Sequence, residues 1–172
     1  NNLCLAGGVA LNCVANGKLL ESKLFDKIWI QPAAGDAGGS LGAALALWHK
    51  ELGNNRIYNK DKSDLMKGSY LGPEFSQKEI ESELNRLGAK YSVINDQEII
   101  EKTTLSLIDG DAIGWFQGRM EFGPRALGAR SIIGDPMSES MQKNLNLKVK
   151  YRESFRPFAP SILKEELNKW FQ

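Results

Sequence analysis

Leu3-Cys4-Leu5-Ala6-Gly7-Gly8-Val9-Ala10-Leu11-Asn12 runs from an apolar tetrapeptide through paired glycines into a segment with helical spacing. Leu3 to Ala6 reads as a buried strand and Gly7-Gly8 as a tight turn. Val9 to Ser22 reads as a helix, with Val9, Val14, Leu19 and Leu20 roughly on one side. The same order recurs downstream. Phe25 to Ile30 reads as a second buried strand, and after Pro32 the segment Gly35-Asp36-Ala37-Gly38-Gly39-Ser40 leads into a small-residue helix, Leu41 to Trp48. The alanines and glycine of that helix permit close backbone packing. Strands alternating with helices predict an α/β layer for this part of the chain.

Beyond Gly53 the pattern changes. Gly53 to Lys67 is polar without apolar periodicity, so it is expected to connect two domains. A new unit of mixed α+β character begins near Ser69. Ser76-Gln77-Lys78-Glu79 is a capping box opening a helix that ends near Gly88, and Asn95 or Asp96 caps another that stops at Gly110. Lys90 to Ile94 and Ala112 to Gln117 read as strands. Ser138 to Leu147 reads as a short helix, Phe158 to Leu163 as a strand, and Lys164 to Phe171 as the beginning of a helix.

With 172 residues, 42% apolar and 25% charged, the composition is that of a globular chain and not a disordered one. No apolar run approaches the roughly 20 residues of a membrane helix. The start, Asn1-Asn2-Leu3-Cys4, lacks the basic region of a signal peptide, so a cytoplasmic setting without a membrane partner is expected. Cys4 and Cys13 fall on different elements with neither metal nor redox spacing and are expected as buried thiols outside any disulfide. The single histidine, His49, is expected in a helix-terminal role. The net charge is only +1, yet residues 119–156 carry eight basic against four acidic side chains. A basic patch on a nearly neutral chain points to a discrete anionic ligand more than to general nucleic-acid affinity.

Two kinds of motif can meet such a ligand. The turns containing Gly7, Gly8 and Asn12, and Gly35 and Gly38, each lie between a strand and a helix N-terminus, where free N–H groups and the helix dipole favour phosphate. Neither is a Walker A loop or a Gly-x-Gly-x-x-Gly turn, and each reads equally well as a packing turn. Asp36 either binds a metal beside a nucleotide or caps the following helix, and the residues alone favour the cap.

The second kind is basic. Gly118-Arg119-Met120-Glu121-Phe122-Gly123-Pro124-Arg125-Ala126-Leu127-Gly128-Ala129-Arg130-Ser131 sets three arginines among turn residues, and planar guanidinium forks suit phosphate. Alternatively, these arginines pair with Glu121, Glu153 or backbone carbonyls and knit the loop together. In Lys148-Val149-Lys150-Tyr151-Arg152-Glu153-Ser154-Phe155-Arg156-Pro157-Phe158-Ala159-Pro160, an extended backbone would put Lys150 and Arg152 on one face as a triphosphate clamp. Tyr151, Phe155 and Phe158 beside that charge keep RNA stacking as a rival, although the interleaved prolines suit the edge of a packed core.

Four stretches together carry a resemblance: Leu5 to Asn12, Gln31 to Ala44, Gly123 to Ile132 and Arg152 to Pro160. In order and content they closely resemble the carbamoyltransferase family of nodulation protein U and tobramycin O-carbamoyltransferase. The resemblance implies the C-terminal piece of an actin/hexokinase-like domain over residues 1–53, a connector over 54–67, and part of a YrdC-like domain over 68–172. It implies an enzyme that makes carbamoyl-adenylate from ATP and carbamoyl phosphate and passes the carbamoyl group to a hydroxyl of a sugar or other small molecule.

The family's Lys-x-Arg element falls on Lys150 and Arg152, which with Arg125 and Arg130 form the candidate catalytic set. Arg119, Arg156, Gly7, Gly8, Asn12, Gly35 and Gly38 are the candidate nucleotide contacts. Asp36 falls where the family places a ligand for a divalent metal, iron or magnesium, which reverses the reading from composition. The family's metal-binding histidines and its Ser-x-Asn element find no match in the chain. It is therefore expected to be a fragment holding half of each active site, inactive alone. A relative of tRNA threonylcarbamoylation enzymes and a noncatalytic RNA- or anion-binding module are the alternatives.

Overall fold

The structure, a computed structural model, describes residues 1–57 and 64–171. Residues 58–63, in the middle of the expected connector, and Gln172 lie outside the described residues. The chain is a mixture of helices and short strands that divides into two compact units. The first comprises Asn1–Asn85 with Phe116–Arg130, and the second comprises Arg86–Trp115 with Ser131–Gln172.

The first unit opens with β1 (Asn2–Leu5), a helical turn (Gly8–Leu11), α1 (Cys13–Glu21) and β2 (Lys27–Ile30). β1 and β2 pair in parallel, with Asn2 opposite Lys27 and Leu5 opposite Ile30. Parallel strands require a crossover, and α1 supplies it. The expected single helix from Val9 to Ser22 is broken at Asn12, whose side chain accepts the Ala15 N–H at 3.1 Å and starts α1 afresh. Both strands alternate exposed and half-buried residues, so they are not the fully buried strands expected. Cys4 and Cys13 are free and exposed, which corrects their expected burial.

α2 (Asp36–Ala46) follows Gly35 and continues through a wider turn, Leu47–Glu51, that contains His49. The His49 Nδ1 lies 2.8 Å from the Asn54 carbonyl oxygen, which gives this residue its helix-terminal role. A β-carbon on Gly38 would fall inside the van der Waals envelope of the Ala33 carbonyl oxygen, so this close turn needs glycine. Ala33 and Ala34 are buried here, joined by Ala10 and Ala129. The Gly7 N–H donates to the Ala34 carbonyl at 2.6 Å and ties the first glycine turn to the second.

α3 (Gln77–Arg86) and α4 (Asp96–Ile108) begin where their capping boxes place them. The Ser76 N–H and hydroxyl both donate to the Glu79 carboxylate at 2.7 Å, and these bonds hold its carboxyl below the ordinary value. Asn95 and Glu98 form the matching pair for α4, at 2.9 and 3.1 Å. β3 (Ile113–Phe116) and β4 (Arg130–Ile133) pair as a second two-stranded sheet.

In the second unit, α5 (Met141–Asn144) continues through Leu145–Val149, and the chain ends in a turn, Lys164–Glu166, with α6 (Leu167–Trp170). Met141, Leu145 and Asn146 are buried there. The strands expected over Lys90–Ile94 and Phe158–Leu163 are irregular backbone. A strand is defined by a ladder partner, and their apolar content did not supply one. Among the described residues no helix is long and apolar enough to cross a membrane.

Candidate functional site

The arginine-rich loop is built against the segment 69–73. The Phe122 N–H donates to the Ser69 carbonyl at 2.7 Å, the Gly72 N–H to the Met120 carbonyl at 2.9 Å, and the Met120 N–H to the Pro73 carbonyl at 3.0 Å. Ser69, 2% exposed and at φ 71°, turns the chain so that its carbonyl can accept. On the other side Gly123, at φ 124°, sits against Ala33. A β-carbon on Gly123 would stand 3.2 Å from that of Ala33, so the approach and the dihedral both call for glycine.

Glu121 organises the loop from inside. Only 7% exposed, it accepts at one oxygen, Oε1, the N–H groups of Leu127 and Ala129 at 2.7 Å and of Arg130 at 3.4 Å. Burial alone would push its carboxyl up. Those three amides, with its own, outweigh burial and hold the carboxyl below the ordinary value of 4.5. The Tyr70 hydroxyl donates to the Leu127 carbonyl at 2.6 Å and closes the same turn.

The three arginines take different positions. Arg130 stacks its guanidinium 3.4 Å from the centroid of the Phe116 ring and donates to the carbonyls of Gln117, Ala129 and Gly118 at 2.8 to 3.0 Å. Arg119 donates to the Gly72 carbonyl at 3.1 Å and faces Glu74 at 3.4 Å. Arg125 is exposed, and among the described residues it carries no hydrogen bond or ion pair. The knitting alternative is thus what Arg119 and Arg130 do, while Arg125 stays free. A cavity of about 360 Å³ opens between Tyr70, Gln117, Gly118, Arg119, Gly128 and Ala129.

Among the remaining candidates in this unit, the Asn12 side chain is occupied as a helix cap. Gly35 stands at the cap position of α2 without a side-chain bond, and Asp36 is exposed in its first turn, where a negative charge suits the helix dipole. Gly7 and Gly8 are exposed, and Gly38 is half-buried. Among the described residues no group of three His, Cys, Asp or Glu side chains could hold a metal ion.

The second basic loop has its own organiser. Asn146 is fully buried; its Oδ1 accepts the Arg152 Nε–H at 2.6 Å, and its Nδ2 donates to the Ser154 and Arg156 carbonyls at 3.1 and 2.8 Å. The Arg152 guanidinium lies 4.9 Å from the centroid of the Phe158 ring. Arg156 pairs with Glu153 at 2.9 Å. The Glu153 carboxyl is held below its ordinary value by its own amide first and then by Arg156. Lys150 is exposed and unpaired among the described residues.

The expected extended face of Lys150 and Arg152 is corrected: Lys150 is helical at φ −94° and Tyr151 turns back at φ 50°, so the pair sits on a bend. Glu121 was weighed from sequence only as a partner for arginine, and Asn146, Tyr70 and Ser69 were missed. A buried polar side chain that serves distant carbonyls or amides leaves no periodic signal.

The N-terminal end of the chain, residues 1–45, matches the family model described as carbamoyltransferase N-terminus, and residues 104–172 match the carbamoyltransferase C-terminus. Between them the two models account for more than half of the chain, in the order of the family. The chain belongs to the carbamoyltransferase family.

Its relatives in that family extend the match across nearly all of its length. An uncharacterized protein of Synechocystis sp. is 59% identical over 99% of this chain and 28% of its own length. Nodulation protein NolNO of Sinorhizobium fredii is 43% identical over 99% of this chain and 24% of its own length, and nodulation protein U of Rhizobium fredii is 33% identical over 95% and 25%. The chain spans about a quarter of the length of these relatives.

Proposed function

We propose that the chain is part of an O-carbamoyltransferase that uses ATP and carbamoyl phosphate, through carbamoyl-adenylate, to carbamoylate a hydroxyl of a sugar or other small molecule. In this reading residues 1–53 belong to an actin/hexokinase-like domain and residues 68–172 to a YrdC-like domain, joined by 54–67. One observation supports it above the others. The first basic loop commits Arg119 and Arg130 to carbonyls and leaves Arg125 exposed and unpaired, while the second commits Arg152 to Asn146 and Arg156 to Glu153 and leaves Lys148 and Lys150 exposed and unpaired, among the described residues. A preorganised loop with an uncommitted cation can meet phosphate without first breaking an internal bond.

Arg125 and Lys150 would take phosphate oxygens, with Arg152 held beside Lys150 by Asn146. Arg119, Arg130 and Arg156 would shape the two loops. Of the glycine turns, Gly8 and Gly35 would face the nucleotide with their N–H groups, while the N–H groups of Gly7 and Gly38 are held by the Ala34 and Gly35 carbonyls and would shape the turns. Among the described residues Asp36 stands without companions, so they do not make a metal site on their own.

The test is pyrophosphate release from ATP by the full-length protein in the presence of carbamoyl phosphate. Arg125→Ala or Arg152→Ala is expected to lower kcat/KM by about a hundredfold, the scale of one lost charge-stabilising donor. Absence of pyrophosphate, with salt-sensitive oligonucleotide binding at the exposed Tyr151 and Phe155, would overturn the reading.

A further inference from the structure

A loop that contains three arginines has, at its centre, a buried carboxylate that among the described residues is bonded to backbone amides and not to guanidinium groups. Backbone N–H groups converging from Leu127, Ala129 and Arg130 form the kind of concave cradle that binds anions. Here the anion is supplied by the protein itself. Because Oε1 of Glu121 occupies the cradle, the turn through Gly128 is closed, and the Tyr70 hydroxyl locks the Leu127 carbonyl from outside it. The Arg130 N–H belongs to the cradle, while its guanidinium runs back to Gln117 and Gly118 over Phe116. Arg125 sits on the span between Glu121 and the cradle, and among the described residues nothing else holds its side chain.

We propose that Glu121 is a positioning residue: its carboxylate fills the amide cradle at Leu127–Arg130 as an internal anion and fixes the span that presents Arg125 to phosphate. The inference rests on the proposed reaction for its phosphate, and on geometry alone for the cradle. A carboxylate suits this role where a neutral amide does not, because all three bonds converge on one oxygen and each is strengthened by the charge. Glutamine offers one carbonyl oxygen of lower charge and brings an N–H₂ that has no use for donors.

The experiment compares full-length wild type with Glu121→Gln, Glu121→Asp and Glu121→Ala by amide hydrogen exchange over residues 122–130 and by the kinetics of pyrophosphate release. Exchange at Leu127 and Ala129 is expected to accelerate in all three variants, because the shorter aspartate cannot reach the cradle. KM for carbamoyl phosphate or ATP is expected to rise about tenfold in Glu121→Gln, the scale of a weakened charged hydrogen bond, with a smaller change in kcat. Formate, which fits the space left by truncation to alanine, is expected to slow exchange again and to lower KM in that variant alone. Unchanged exchange in Glu121→Ala overturns the cradle, unchanged exchange in Glu121→Gln overturns the need for its charge, and faster exchange with an unaltered KM overturns the positioning role. Wild type that exchanges slowly but releases no pyrophosphate overturns the reaction and leaves the cradle to be decided by exchange and by formate.

Discussion

The two basic loops solve one problem with opposite chemistries. Around Arg125 the backbone offers N–H groups, and a buried carboxylate, Glu121, collects them. Around Arg152 the backbone offers carbonyls, and a buried amide, Asn146, donates to them while accepting from the arginine itself. The first organiser carries a charge and the second does not. The comparison teaches that a cluster of cations need not be held by ion pairs: the surface pairs Arg119–Glu74 and Arg156–Glu153 are half-exposed and contribute little, whereas both organisers are buried.

The largest effect is expected at the neutral organiser. Asn146→Ala removes a fully buried partner from the Arg152 Nε–H and the Ser154 carbonyl and leaves the Arg156 carbonyl to Gln142 alone, and is expected to cost about 3 kcal/mol of stability. Chemical unfolding of the full-length protein should show the same loss at every pH from about 5 to 8, since no titrating group is removed.

The charged organiser behaves differently. Its folded carboxyl lies below the ordinary 4.5, so its contribution is fully present above that pH and is lost as the pH falls through the folded value. Glu121→Gln is expected to cost about 2 kcal/mol at neutral pH, the scale of charged hydrogen bonds. Its unfolding curve should converge on that of wild type as the pH drops below 4.5. A gap that stays constant down to acid pH would mean that the two loops do not differ in the way described.

Much of the local frame was legible because it is written in short-range chemistry. Ser76 with Glu79 and Asn95 with Glu98 are spaced to exchange bonds within one turn, and both helices start there. The break at Asn12 was equally local, since the asparagine three residues before Ala15 is a cap signal that the apolar spacing of Val9 and Val14 obscured. The expected strands at Lys90–Ile94 and Phe158–Leu163 fail for a different reason: composition reports the taste of a segment for a strand but not the neighbour that completes it. For the site, the arginines and the Lys-x-Arg pair were visible as charge. The residues that aim them were not, because Glu121 serves amides six to nine residues away and Asn146 serves carbonyls eight and ten away, at separations set by loop shape.

The smallest effect belongs to the outer lock of the first loop. Tyr70→Phe removes the donor to the Leu127 carbonyl, which remains near solvent, and is expected to cost about 1 kcal/mol while leaving the pH response of Glu121 in place. Thermal melting at pH 7 and at pH 4 would separate the two contributions.

The meeting of Gly123 with Ala33 has a consequence for inheritance. Ala33 lies in the stretch matched by the N-terminal family model and Gly123 in that matched by the C-terminal one, yet a β-carbon on Gly123 would stand only 3.2 Å from that of Ala33. A chimera that joins these two stretches from different relatives is expected to be more stable when both positions travel from the same parent, or when both are small in each.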